Sequence, residues 1–172
     1  MDADFRADDL AQATATPARP AWRRFEDTLA RALDALRPWL LAGTRLYVSW
    51  QFLKSGALKL ESWETTLGLF QDEYRVPLLP PGLAAYAGTA GELFFPALLV
   101  VGLFSRGAAL GLSAVNVLAV VSYAHVLLSE GYEAALGQHL LWGYMLAVVA
   151  VAGPGALTID RWRGTQAASR IR

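Results

Sequence analysis

Cysteine is absent from all 172 residues, and its absence removes several chemistries at once. No disulfide relay, paired-thiol redox centre, thiolate zinc site or iron–sulfur cluster can be built from such a chain. A redox role would therefore need a bound cofactor or a partner protein. Charge is scarce too, at 17% of residues, against about 25% in an average soluble domain. Fifteen basic and fifteen acidic side chains cancel, so no basic field gathers a polyanion, and nucleic acid is not an expected partner. What is abundant is apolar surface: 55% of residues are hydrophobic and the mean hydropathy is +0.33. The charges crowd the first forty and last twelve positions, leaving a middle that reads as membrane and makes the lipid bilayer the first expected partner.

Residues 1–21 combine four aspartates with Ala, Thr and Pro and show no sustained apolar period, the composition of a disordered tail. This stretch has neither the basic start nor the apolar core of a cleavable signal. Beyond it, Trp22, Phe25, Leu29, Leu33 and Leu36 recur at helical spacing, while Arg23, Arg24, Asp27, Arg31, Asp34 and Arg37 fall largely on the rest of the wheel. That spacing predicts an N-terminal amphipathic interfacial helix over 22–38. A soluble helix docked on a partner would carry the same pattern, and the mixed signs of the polar face keep that alternative open.

Four stretches approach or meet the roughly 20 residues needed to cross a hydrocarbon layer about 30 Å thick: 39–58, 83–104, 107–128 and 135–153. The second holds one acid, and the third holds no formal charge beyond a titratable His125. Arg45 and Lys54 interrupt the first, and the fourth begins with polar Gln138 and His139. The expected fold class is thus all-α, a four-helix transmembrane bundle over 39–160, followed by a basic cytoplasmic tail over 161–172. Gly107, Gly111 and Gly143 allow close helix contact within it. Between the first two spans, Trp63, Leu67 and Phe70 at helical spacing predict a second interfacial helix, and the VPLLPP segment then carries the chain extended to the next span. Around Ser105 and Arg106 only a tight hairpin fits.

Basic residues set the expected orientation. Arg23, Arg24, Arg31, Arg37, Arg106, Arg161, Arg163, Arg170 and Arg172 fall on one side, against Lys54, Lys59 and Arg75 on the other. Nine against three puts both termini in the cytoplasm of a multi-pass protein of a bacterial inner membrane.

Arg45 and Glu92 stand out chemically, because an ionised group near the bilayer centre costs about 2.5–3.5 kcal/mol on insertion scales. Helix rise sets their depths about 6 Å apart, within reach of an arginine side chain. A Glu92–Arg45 pair facing the bundle interior is expected, and such a pair serves either reactivity or helix register. Pro96 removes the hydrogen bond to the carbonyl of Glu92, so a free carbonyl and a carboxylate share one turn. His125 and His139 lie near one face, where imidazoles can hydrogen-bond a quinone carbonyl, relay protons or simply meet water. Two histidines without thiolates make a poor zinc site, so no metal is expected. Trp142, with Tyr47, Trp50, Phe52, Tyr123 and Tyr144, can line a flat apolar cavity or form an interfacial belt. The candidate cofactor-binding set is therefore Arg45, Glu92, His125, His139 and Trp142, with no catalytic residue assigned.

From Arg45 to Asp160, about two-thirds of the chain, the sequence resembles the DoxX family of bacterial membrane proteins. Arg45 is followed in order by SGALKL with Gly56 and Lys59, by GELFFPALLVVGLFSR with Glu92 and Arg106, and by GPGALTID with Gly153, Pro154, Gly155 and Asp160. Ser105 and Thr158 stand where the family pattern usually has Thr and Ser. The resemblance implies a four-helix membrane fold and gives weight to Arg45, Lys59, Glu92, Arg106 and Asp160. Arg106 and Asp160 fall on the cytoplasmic face, where such charges often tie helix ends together. Some members resemble the small membrane subunit of a thiosulfate:quinone oxidoreductase, and others are associated with oxidative-stress complexes.

The functional expectation is a quinone-interacting subunit of a membrane oxidoreductase or oxidative-stress system, working with a redox partner protein and open to homo-oligomerisation. Its cofactor would be a non-covalently bound quinone. The alternative is a non-catalytic membrane anchor or assembly factor for a partner protein, in which the buried charges are structural.

Overall fold

The computed structural model describes residues 20–160 and Trp162. The expected disordered tail over 1–21 lies outside these residues apart from its last two positions, and the basic tail over 161–172 lies outside them apart from Trp162. Described residues form helices without strand: α1 Ala21–Glu61, α2 Trp63–Asp72, α3 Pro81–Val101, α4 Ser105–Ser122, α5 Ala124–Leu127 and α6 Glu133–Ala152. The all-α expectation holds. Contacts divide the chain into a unit ending at Leu36 and a unit beginning at Arg37.

In the first unit the described residues lie in the first part of α1. Trp22, Phe25, Leu29, Leu33 and Leu36, the apolar row read from the sequence, are all exposed among the described residues. Short local bonds decorate the polar side, with Thr28 Oγ1 donating to the Arg24 carbonyl at 2.8 Å and Arg31 Nε to that of Asp27 at 3.0 Å. A separate helix over 22–38 is not formed: α1 is one helical element with Pro38 inside it. Proline has no N–H to offer the carbonyl four residues back. Its own carbonyl accepts from Ala156 N at 2.8 Å.

In the second unit three helices are long and apolar enough to cross a membrane: α3, α4 and α6. The Arg37–Glu61 part of α1 is not among them, since Arg45, Lys54, Lys59 and its polar neighbours lower its hydropathy. It nevertheless packs with the other three around one core of Val48 and Phe52 from α1, Leu99 from α3, Ala108, Ala109 and Leu112 from α4, and Leu146 and Val149 from α6. The third expected span, 107–128, ends early. Its helix stops at Ser122 with Tyr123 as cap, and the four-residue α5 follows.

The predicted helix after the first span is present as α2. Phe70 packs with Ala84 and Ala85 of α3, and Trp63 meets Tyr86 at a ring distance of 4.6 Å. The segment from Glu73 to Pro80 then crosses to α4, where Arg75 N donates to the Ser122 carbonyl at 2.9 Å. It is not extended throughout, because Leu78 takes φ 67° in a turn before Pro81 opens α3.

Candidate functional site

Register between α1 and α3 decides which charges meet. Gly56 of α1 lies so close to α3 that a Cβ there would sit 2.8 Å from Leu93 Cδ2 and 3.2 Å from Glu92 Cβ. One turn further along α1, Lys59 Nζ reaches Glu92 Oε2 at 2.7 Å and also donates to Ser55 Oγ at 2.9 Å. Both charged side chains are largely buried, at 17% and 9% exposure, and pairing with a hydrogen bond offsets the cost of desolvating them.

The expected Glu92–Arg45 pair is therefore corrected. Arg45 lies fourteen residues before Lys59, about 21 Å along α1, and its surroundings belong to the other end of α3. Its Nη2 donates to the Leu157 carbonyl at 3.2 Å, and Asp160 acts on it electrostatically. Gly102, at φ 70°, passes over the guanidinium, and any Cβ there would collide with Arg45 and Thr158. Asp160 meanwhile accepts from Phe104 N and Ser105 N, each at 2.9 Å, and from Ser105 Oγ at 2.8 Å, satisfying free donors at the start of α4. Arg45 thus fastens the 153–160 segment to α1, and Asp160 fastens it to the α3–α4 turn. Asp160 is a tie between helix ends, as expected.

Lys59 and Glu92 line a cavity of about 240 Å³. Its walls are largely apolar, drawn from α2 (Phe70), the following segment (Tyr74, Val76, Leu79), α3 (Ala84, Gly88), α4 (Val115, Leu118) and α5 (Leu127). Tyr123 and His139 add polar atoms. Tyr74 is fixed between rings, edge-on to Phe70 at 4.8 Å and to Tyr123 at 5.1 Å. Burial, with Tyr123, Glu92 and Glu73 nearby, raises the Tyr74 phenol above its usual value, so it stays a neutral donor at physiological pH. Tyr123 OH donates to Glu73 Oε2 at 3.2 Å and so ties the segment after α2 to the end of α4.

His139 is held by Asn116, whose Oδ1 lies 2.8 Å from His139 Nδ1 and whose Nδ2 donates to the His139 carbonyl at 2.9 Å. Trp142 stands behind it, edge-on to His139 at 5.0 Å and to Phe52 at 5.5 Å, and does not line the cavity. His125 packs on Tyr123 at 5.6 Å, also outside the lining. Of the five residues expected from sequence, Glu92 and His139 share the cavity, Trp142 backs it, His125 lies beside it and Arg45 lies elsewhere. No cluster of three or more metal-ligating groups occurs among the described residues.

Sequence reasoning missed Ser55 and Tyr74 and placed Lys59 on the family resemblance alone. A signal for Tyr74 was present: it follows Phe70 by four positions, just past the end of α2 at Asp72, and its ring packs on that of Phe70.

Comparison with known proteins fits this architecture. A protein of Haemophilus influenzae described as uncharacterized is 28% identical over 123 residues, covering 67% of this chain and 78% of that protein. No solved structure matches the chain. The family model described as DoxX matches residues 40–125. Half of the length is thereby matched, through the core helix, the Lys59–Glu92 pair and the α3–α4 turn, and the chain belongs to the DoxX family.

Proposed function

We propose that this DoxX protein is a quinone-binding subunit of a membrane oxidoreductase or oxidative-stress system, and that its site is the Lys59–Glu92 cavity. The observation that carries the reading is the combination of an apolar, ring-lined cavity of about 240 Å³ with an ion pair of 2.7 Å in its wall. Quinone head groups are flat and apolar with polar oxygens at their rim, so they need such walls and a donor such as a lysine or tyrosine. The volume lies below the roughly 300–1,000 Å³ of pockets for drug-sized ligands, which suits a single ring rather than a fused system. Without cysteine the chain cannot build a thiol or iron–sulfur carrier, and it would work with a redox partner protein. In this reading the Arg37–Glu61 part of α1 is the fourth span of a four-helix bundle, neutralised by Lys59–Glu92 and by the Arg45–Asp160 region. Both termini would face the cytoplasm of a bacterial inner membrane.

The test is extraction of bound quinone from protein purified in mild detergent. Wild type and Arg45→Leu are expected to retain it, and Lys59→Met and Glu92→Gln to lose it. A folded wild type without quinone, or loss confined to Arg45→Leu, would overturn the assignment.

A second reading, the non-catalytic anchor or assembly factor, draws support from the exposed apolar row Trp22, Phe25, Leu29, Leu33 and Leu36. That face suits the membrane surface or a partner helix. In this case Glu92→Gln would leave partner recruitment and system activity unchanged.

A further inference from the structure

Asn116 settles the hydrogen-bonding character of one wall of the cavity. Its Nδ2 lies 2.9 Å from the backbone carbonyl of His139, and a peptide carbonyl only accepts, so this contact fixes which end of the amide carries the protons. The amide oxygen therefore faces the ring, 2.8 Å from Nδ1. An amide oxygen has no proton to give, so the hydrogen is on Nδ1, and in the neutral ring Nε2 holds the lone pair. Nε2 has no hydrogen-bond partner among the described residues, and His139 lines the cavity. Glu92 supplies a second acceptor in the same lining, because Lys59 engages Oε2 while Oε1 bonds to no described residue.

We infer that the cavity selects the dihydroxy form of a one-ring quinone over the oxidised form, with its hydroxyl groups donating to His139 Nε2 and Glu92 Oε1. The inference rests on the quinone-class reading above and adds the redox state of the ligand. An oxidised ring carries only acceptors. Seated here it accepts from Lys59 and Tyr74, but it turns lone pairs toward two groups that are acceptors themselves and that lose water when the ligand binds. A hydroxyl group serves both sides, giving its proton to the imidazole or carboxylate while its oxygen accepts from Lys59 Nζ. Sites built around a ligand hydroxyl reject analogues that lack it, because the site's own polar groups are then left unpaired. Asn116 acts here as a positioning residue: it touches no ligand, and it determines which ring nitrogen presents a lone pair.

The experiment uses the full chain in nanodiscs, with a short-chain alkyl benzohydroquinone kept reduced and the corresponding benzoquinone as probes. The hydroquinone is expected to bind at least about tenfold more tightly, the worth of one to two hydrogen bonds. Asn116→Leu, which frees the ring to take either tautomer, should shrink that ratio to about threefold or less. Nitrogen NMR of histidine-labelled protein gives a readout that needs no ligand. The chain has two histidines, so His125→Asn assigns the signals, and His139 should show a pyrrole-type Nδ1 and a pyridine-type Nε2. Benzoquinone binding as tightly as the hydroquinone, or a pyridine-type Nδ1, overturns the inference and leaves the quinone-class reading standing. Binding of neither form removes that reading and the inference with it. Should Asn116→Leu fail to fold, the wild-type ratio and the tautomer decide.

Discussion

Glu92 lies in α3 where an ionised side chain costs about 2.5–3.5 kcal/mol on insertion scales, and Lys59 offsets that cost through a 2.7 Å contact. Removing one partner leaves the other charge in a largely apolar setting. Glu92→Gln and Lys59→Met are each expected to destabilise the bundle by about 3 kcal/mol, near the lower end for buried pairs because the lysine keeps some exposure. The double variant Lys59→Met with Glu92→Gln should recover most of the loss. A thermodynamic cycle of unfolding midpoints in detergent measures this, and strictly additive losses would show that the pair contributes nothing. Tyr74 gives a pH signature. Its phenol is raised in the folded protein, mainly by burial, while the unfolded phenol titrates near 10. The folded state therefore holds its proton longer, so stability falls as pH rises from about 10 toward the folded value. Tyr74→Phe should flatten the thermal midpoint over that window, and an unchanged slope would contradict the burial assigned to the phenol. At this scale the sequence showed that Glu92 must have a cation but not which one. Both Arg45 and Lys59 sit on α1, and choosing between them required the register of α1 on α3, which Gly56 sets by contact rather than by pattern.

The helices themselves were legible wherever an apolar period met a turn signal. The α2 helix followed from Trp63, Leu67 and Phe70, and the α3–α4 hairpin from Ser105 and Arg106 between two apolar runs. The sequence reading ends an interfacial helix at Pro38, whereas the structure has one helical element, Ala21–Glu61, with Pro38 inside it and the Pro38 carbonyl accepting from Ala156 N. Asp160 was legible as a helix-end tie, though its partners were not, since Phe104 and Ser105 lie more than fifty residues away in sequence. Asp160→Asn weakens charge-assisted bonds at the start of α4 and should cost about 1–2 kcal/mol. Cleavage by protease between α3 and α4 should rise in parallel, and a variant as resistant as wild type would remove Asp160 from this role. Gly56→Ala pushes against Leu93 and Glu92, and overpacking of this kind typically costs about 1–3 kcal/mol. If α1 and α3 separate as this predicts, the variant also loses bound quinone, whereas retention of both stability and ligand would mean that the register does not depend on the close approach.

Across the whole molecule, apolar side chains face outward on every long helix of the second unit, including Phe94 and Val101 on α3, Leu110 and Val117 on α4, and Leu140, Tyr144 and Val151 on α6. A soluble protein would not expose such continuous surface, and a bilayer covers it. The absence of cysteine makes topology directly measurable, because single cysteines can be introduced into an unreactive background. Ser62→Cys should react with a membrane-impermeant maleimide from outside intact cells, and Trp162→Cys should react only after permeabilisation. The reverse pattern would invert the proposed orientation. The central claim concerns where the ligand sits, and photo-crosslinking with a diazirine-bearing benzoquinone, followed by peptide mapping, tests it most directly. Labelling of peptides containing Phe70–Tyr74 and Val115–Tyr123, competed away by unlabelled quinone, is the predicted result. Competed labelling confined to the peptide around Arg45, or labelling only of the outward faces without competition, would contradict it.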